Sequence, residues 1–321
     1  MDIGRFVVCG EALIDLLPAG GTPDAWFSTT WQATSAGGPM TTAIALRLLD
    51  QRASYLGRLS RDAFGQQLRQ HLVENWVDLD LAVSTPEPTS LAVVSLDEQG
   101  RASYTFHFHD TANFAWRPEE LPALEPTDWL HTGTLAAVVE PGASVLLDWA
   151  RGLPGGISVD VNVRSSLIDD PAEYWRRIRP WLQIVGERAR AGAGGMVKAS
   201  DDDIRFLARG SGAAGDPEEL MRGWVAEFGL DLGLLTLGPD GAVAVSASDA
   251  VRVPGRKVEL VDTISAGDTF MAGFLSAHAA DPDDLTGALE RAVAASALVV
   301  TRVGAQPPTL AEVLEFQRAG A

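Results

Sequence analysis

The stretch VDTISAGDTFMAGFL, residues 261–275, constrains this chain more than any other. An apolar, β-branched segment at residues 257–261 leads to Asp262, and a turn of small residues follows, Ser265-Ala266-Gly267. From Asp268 onward Phe270, Met271, Phe274 and Leu275 recur at helical spacing. The order predicts strand, tight turn and helix. The first N–H groups of a helix have no internal acceptor and lie at its positive end, so such a turn gathers an anion. Asp268 stands out there, because a carboxylate repels a bound anion. Two roles fit it. It can cap the helix, or it can take a proton from a hydroxyl while the turn stabilises charge on a phosphoryl group in transfer.

The chain before this stretch predicts an α/β domain. RFVVC at residues 5–9 reads as a buried strand ended by Gly10-Glu11, with Asp15 beyond it, where an open α/β sheet carries ligand residues. Residues 20–31 read as a hairpin. Ala36-Gly37-Gly38-Pro39 opens a helix through Leu49: proline suits the first turn, and paired glycines let the backbone approach a ligand closely. Residues 91–96 and 103–108 predict two strands joined by a turn at DEQGR. Period two places Tyr104, Phe106 and Phe108 on one face and Thr105, His107 and His109 on the other. The two histidines have no third ligand nearby in sequence, so they read as solvent-facing or sugar-side residues rather than a metal site.

Residues 129–132, a helix near 143–151 and residues 157–161 form a βαβ unit with a right-handed crossover. Alternation then sends Asp160, Asn162 and Arg164 to one side at the strand's C-terminal end; Arg164 can reach a phosphate or carboxylate, or pair with Asp160. The Gly/Ala-rich residues 186–196 read as a mobile insertion, since a lone run of small residues is a weak phosphate-loop signal. Residues 234–237 predict a strand, with the turn of TLGPDGA, residues 236–242, at its end. Nothing divides the chain, so residues 1–321 are expected to form one domain.

Composition narrows the functions. A net charge of −18 argues against nucleic acid or an anionic membrane as partner, since either needs a basic face. The single cysteine, Cys9, allows no internal disulfide and sits in an apolar strand. The N-terminus lacks a signal-peptide pattern, and no run approaches the ~18 apolar residues of a membrane span. The expectation is a soluble cytoplasmic protein.

Several of these segments together resemble the ribokinase-like (PfkB) family of sugar kinases. DTISAGDTF is similar to that family's DTxGAGD signature, and GEALID, GGPMTTA, GRLSRDAFG, DVNVR, TLGPDGA and TRVGAQPP occur in the family's order along nearly the whole chain. The resemblance implies a doubly wound, mostly parallel α/β sheet with helices on both faces and a small β-sheet lid from segments near 16–33 and 86–113. It implies Asp268 as base, with Ser265, Ala266 and Gly267 forming the anion hole. Asp15, Gly37, Gly38, Thr41, Tyr104 and Arg164 would hold the sugar, and Ser200, Thr236, Gly238, Gly241 and Gly267 would hold ATP. Asp203 would organise Mg²⁺ through water. K⁺ would bind Asp262 with carbonyls of Ile264, Val299, Arg302 and Gly304, and two copies would pair through the lid. Ser265, Ser60 and Thr41 depart from the family's usual Gly, Gly and Asn, and Pro308 from a hydroxyl. The opening, the GGP helix start and HTGTLA resemble the fructokinase-like branch, with 2-keto-3-deoxygluconate kinase and ribokinase as alternatives. The departures also fit a kinase-fold sugar-binding protein with little turnover.

Overall fold

A computed structural model describes residues 3–19, 28–96 and 102–319. The chain opens with β1 (Arg5–Cys9), leaves for a small separate sheet through β2 (Leu13–Pro18) and β3 (Trp31–Ala36), and returns as α1 (Gly38–Leu48) with Pro39 in its first turn. After β4 (Ala53–Leu56), β5 (Arg58–Ser60), α2 (Ala63–Glu74) and β6 (Val83–Thr85) comes a second excursion, β7 (Leu91–Leu96) and β8 (Ala102–His107). From β9 (Asp128–Gly133) strand and helix alternate: α3 (Gly142–Ala150), β10 (Ile157–Asp160), α4 (Pro171–Arg190), β11 (Gly195–Ser200) and α5 (Asp201–Ser211). Then follow α6 (Pro217–Phe228), β12 (Leu232–Thr236), β13 (Ala242–Val245) and β14 (Ala250–Val253). Three helices complete the chain, α7 (Ala266–Ala280), α8 (Leu285–Val299) and α9 (Leu310–Ala319).

The larger sheet has the order β14-β13-β12-β11-β10-β9-β1-β4 and is parallel except where β13 pairs with β12 and β14. Strands covered on both faces read as unbroken apolar runs, which is why RFVVC does not alternate. Along β1, Phe6 and Val8 enter the core beneath α1, α7 and α8, while Val7 and Cys9 enter the core beneath α3 to α6. Phe270, Phe274 and Leu289 fill the first core, and Tyr174, Trp181 and Trp224 the second. Truncating a buried aromatic of this size to Ala costs about 3–5 kcal/mol.

The smaller sheet has the order β3-β2-β7-β8 and rests on the body through Leu13 and Ala92 against Phe114 and Leu135. Leu135 lies two residues past the end of β9, so the small sheet stands at the C-terminal ends of the parallel strands, where open α/β sheets bind ligands. Tyr104 and Phe106 on β8 and Phe108 just past its end stack in a row, with ring centroids 6.0 and 4.8 Å apart, while Thr105 and His107 face solvent.

Four sequence expectations change. Residues 257–261 form no strand: β14 ends at Val253, and Val261 N and Asp262 N donate instead to Val300 O at 2.8 and 3.1 Å. The helix begins at Ala266, two residues ahead of Asp268. Residues 186–196 are not an insertion but the end of α4, a short turn and the start of β11. Glu, Arg and Ala sustain a helix, and Gly186 lets α4 lie on the Phe228 carbonyl, where a Cβ would come within 1.9 Å. Asp15 lies on β2 in the small sheet rather than at the end of the large one. The hairpin expected at residues 20–31 falls mostly outside the described residues, and its last residue begins β3. No helix among the described residues is long and apolar enough to cross a membrane.

Candidate active site

A cleft of about 450 Å³ opens between the small sheet and the large one. The small sheet supplies Asp15 from β2 and Tyr104 and Phe106 from β8; the body supplies Gly37, Gly38 and Thr41 at the start of α1, and Thr134 after β9. Asn162 and Arg164 enter from the exit of β10, and Ile264 to Asp268 from the turn into α7. Eleven residues singled out from sequence are therefore brought to one cavity from five separate segments.

The turn into α7 is built to receive an anion. Ser265 is its N-cap in the left-handed conformation, φ 62°, and makes no side-chain cap bond. Ala266 N reaches Thr263 O at 3.3 Å, while the amides of Ser265, Gly267 and Asp268 have no acceptor among the described residues. The Ser265 hydroxyl is likewise buried without a partner. Asp268 is the third residue of the helix, and Ser265 rather than Asp268 holds the N-cap position. Its carboxyl group lies on the cleft floor against Gly38, where an added Cβ would come within 2.8 Å of Oδ1 and 3.3 Å of Thr134 Oγ1. Desolvation by the enclosing walls raises the Asp268 carboxyl to about 6; Asp160 pushes the same way, and Lys198 and Arg164 oppose it.

Beneath this floor Lys198 Nζ donates to both oxygens of Asp160, at 3.0 and 2.9 Å, with both residues buried. A Cβ on Gly267 would meet Lys198 Nζ at 2.7 Å, so glycine at 267 lets the anion turn settle directly on the ion pair. Burial raises Glu11 to about 7, although Ala136 N donates to it at 3.2 Å, and burial raises Asp15 to about 6 against the pull of Arg164. Arg164 Nη1 donates to Asn162 Oδ1 at 2.5 Å, and Asn162 Nδ2 donates to Thr134 Oγ1 at 3.2 Å. Asn162 and Thr134 hold φ of 38° and 51°. Strained backbone of this kind persists where a site over-determines it.

The other residues singled out from sequence surround the cleft without lining it. Ser200 caps α5 and accepts from Asp203 N at 3.1 Å; Asp203 accepts from Ser200 N and Val163 N, both at 2.8 Å. Thr236, Gly238 and Gly241 lie at the end of β12, and a Cβ on Gly238 would meet nothing. Asp262 accepts from Ile264 N at 3.0 Å and Gly304 N at 2.9 Å, tying the α7 turn to the segment after α8, where Val299 and Arg302 also lie. No group of three or more His, Cys, Asp or Glu among the described residues could hold a metal. Asp160 and Asp203 already have both oxygens occupied, so these residues fit a Mg²⁺ that arrives with a nucleotide and keeps its waters. The open glycine turn at 238 and the free amides of the α7 turn fit phosphates.

Sequence reasoning assigned no site role to Glu11, Thr134 or Lys198, and placed Asn162 only by the alternation of DVNVR. Lys198 carried the clearest signal, a lone cation inside the apolar strand GMVKAS, since a buried lysine needs a carboxylate nearby.

Known proteins bear on what such a cleft does. A fructokinase of Klebsiella pneumoniae is 31% identical over 311 residues, covering 94% of this chain and 95% of the relative. An aminoimidazole riboside kinase of Salmonella typhimurium is 26% identical over 306 residues, covering 93% of this chain and 89% of the relative. The structure of a fructokinase from Vibrio cholerae O395, bound to fructose, ADP and calcium ion, superposes with a TM-score of 0.82 at 27% identity, over 98% of this chain and 99% of that one. The family model for pfkB carbohydrate kinases matches residues 5–312, a span that holds every wall of the cleft. The unpartnered carboxylate, the anion-binding turn and this match lead to one conclusion: the chain belongs to the pfkB family of carbohydrate kinases and is a phosphotransferase acting on sugars.

Proposed function

We propose that the protein is a fructokinase, moving the γ-phosphoryl group of ATP to a primary hydroxyl of fructose. The observation that carries this reading is Asp268, a carboxylate with a raised pKa and no partner, set one residue beyond the anion turn. Asp268 accepts the hydroxyl proton as the sugar oxygen bonds to phosphorus and the bond to ADP breaks. The amides of Ser265 and Gly267, with Ala266 between them, face the charge that builds on the transferring group, and Arg164 offsets part of it. Mg²⁺ carried with the nucleotide supplies further charge neutralisation, and K⁺ near Asp262 would stiffen the turn. Asp15, Gly37, Gly38, Thr41 and Tyr104 bind and orient the sugar beneath the small sheet, which acts as a lid excluding water. Pairing of two copies through that sheet, where Trp31 is 43% exposed, belongs to the same reading.

The charge balance supports a neutral substrate. Among the residues lining the cleft, the carboxyl groups of Glu11, Asp15 and Asp268 outnumber the one guanidinium, Arg164, which disfavours the carboxylate of a keto-deoxy acid. The Vibrio cholerae relative binding fructose supports the choice among neutral sugars. ADP release measured over fructose, ribose, a riboside and 2-keto-3-deoxygluconate tests it. Fructose is expected to give the highest kcat/KM; a higher value for any other acceptor overturns the substrate assignment, and no release with any of them overturns the function.

A further inference from the structure

We propose that Asn113 is a positioning residue of the phosphoryl transfer: its buried side-chain amide sets the angle at which the small sheet stands over the cleft. The inference rests on reading the cleft as the sugar site.

The chain crosses between body and small sheet before β2, after β3, before β7 and after β8. Asn113 lies on the last of these crossings and its amide holds two others. Nδ2 donates to Ala12 O at 2.8 Å, at the entry to β2, and to Ser90 Oγ at 3.0 Å, at the entry to β7. Oδ1 accepts from Ala12 N at 3.4 Å. Ser90 Oγ in turn meets Thr111 Oγ1 at 2.7 Å, and Ile14 N donates to Ser90 O at 3.1 Å, so the knot closes on itself. Asn113, Ser90 and Thr111 are 2%, 0% and 6% exposed.

Every donor of the amide is used, and Ala12 offers both a backbone N–H and a C=O, so the amide can face it only one way round. A buried network this fully satisfied is rigid, and losing one partner leaves others unpaired in a low-dielectric setting. Its position links that rigidity to the reaction. Ala12 sits between Glu11 and Leu13, which both line the cleft, and Asp15 follows on the same strand. A rotation at the knot therefore moves Asp15 and the roof of the cleft relative to Asp268 on its floor. No hydrogen bond among the described residues joins the knot to the turn into α7 or to the end of β12, so nucleotide binding is expected to be left alone.

The test compares Asn113→Asp and Asn113→Ala with Ser158→Ala. Asp keeps the shape but cannot donate. Ser158 is as deeply buried, accepting from Trp129 Nε1 at 2.9 Å, yet lies in the body away from the small sheet. The Asn113 variants are expected to lose roughly tenfold or more in kcat/KM for the sugar, through KM, with KM for ATP unchanged. They should also release more ADP per sugar phosphate, because a misaligned roof admits water. Ser158→Ala should lower Tm without either effect. Should both Asn113 variants fail to fold, Ser90→Ala cuts the link to β7 alone and is expected to show the same split more weakly. Equal changes in both KM values, or an unchanged ratio of ADP to sugar phosphate, overturn the proposal. Asp15→Ala, measured alongside, separates the two readings: an unchanged sugar KM there refutes the cleft as sugar site, while the ADP ratio still reads the knot.

Discussion

Asp268 and Gly38 pack with no side chain between them: a methyl group on Gly38 would come within 2.8 Å of Asp268 Oδ1. The two residues belong to α7 and α1, so the place of the base is set by where α1 starts. Pro39 in the first turn of α1 and Gly37, whose φ of 126° suits only glycine, fix that start.

Gly38→Ala is therefore expected to displace the carboxylate rather than unfold the protein, because the end of a side chain moves at little cost. Displacing a reacting group by a fraction of an ångström to 1 Å lowers kcat by about 10- to 100-fold. Steady-state kinetics beside a melting curve checks this; kcat within twofold of the parent, with Tm retained, contradicts the packing argument.

The acid limb of the pH profile should lie near 6. A general base works only when ionised, and burial holds Asp268 at about 6, above the ordinary aspartate range. Asp15 at about 6 and Glu11 at about 7 gain protons over the same interval, so kcat/KM should fall with more than one proton's steepness. An acid limb near 4 would show that the cleft does not desolvate its carboxylates.

Ser265→Gly should be neutral or beneficial. Ser265 holds φ 62°, and its hydroxyl is buried without a partner. Glycine removes a left-handed strain of about 1–2 kcal/mol and the unpaired group together. Tm should rise and turnover should stay similar or increase. A large fall in turnover would assign the hydroxyl a part in holding the phosphoryl group.

Much of this was legible in the sequence, for identifiable reasons. The buried parallel strands announced themselves as apolar runs, and the α7 turn by its order of small residues and one carboxylate. The alternation in YTFHFH gave the aromatic row of β8, because a strand with one solvated face leaves a period of two. Residues 257–261 misled because β-branched, apolar residues fit any extended segment, and only the Val300 carbonyl shows that no ladder forms there. Residues 186–190 misled because a glycine that permits close packing on Phe228 O looks the same in sequence as one that loosens a loop. Asp15 and Asp268 face one cavity from positions more than 250 residues apart, and that follows from topology rather than from any local pattern.

Turnover should depend on K⁺ in preference to Na⁺. Asp262 accepts from the amides of Ile264 and Gly304, at 3.0 and 2.9 Å, and so couples the anion turn to the segment after α8. A cation held at this junction would stiffen the turn through the same carboxylate. Rates compared in K⁺-only and Na⁺-only buffers check it; equal rates contradict it.

The most direct measurement is made on Asp268→Asn, which preserves size and removes only the proton-accepting charge. The folded state holds the Asp268 proton up to about 6, above the ordinary aspartate value of about 3.9, so ionisation weakens the fold as pH rises through that window. Removing the charge should then leave Tm at pH 8 unchanged or raised, by the equivalent of about 1–3 kcal/mol. Turnover with ATP and fructose, followed by ADP release, should fall by roughly 10²–10⁴ while ATP still binds. A folded Asp268→Asn protein with turnover within a few-fold of the parent would contradict the assignment of Asp268 as the base.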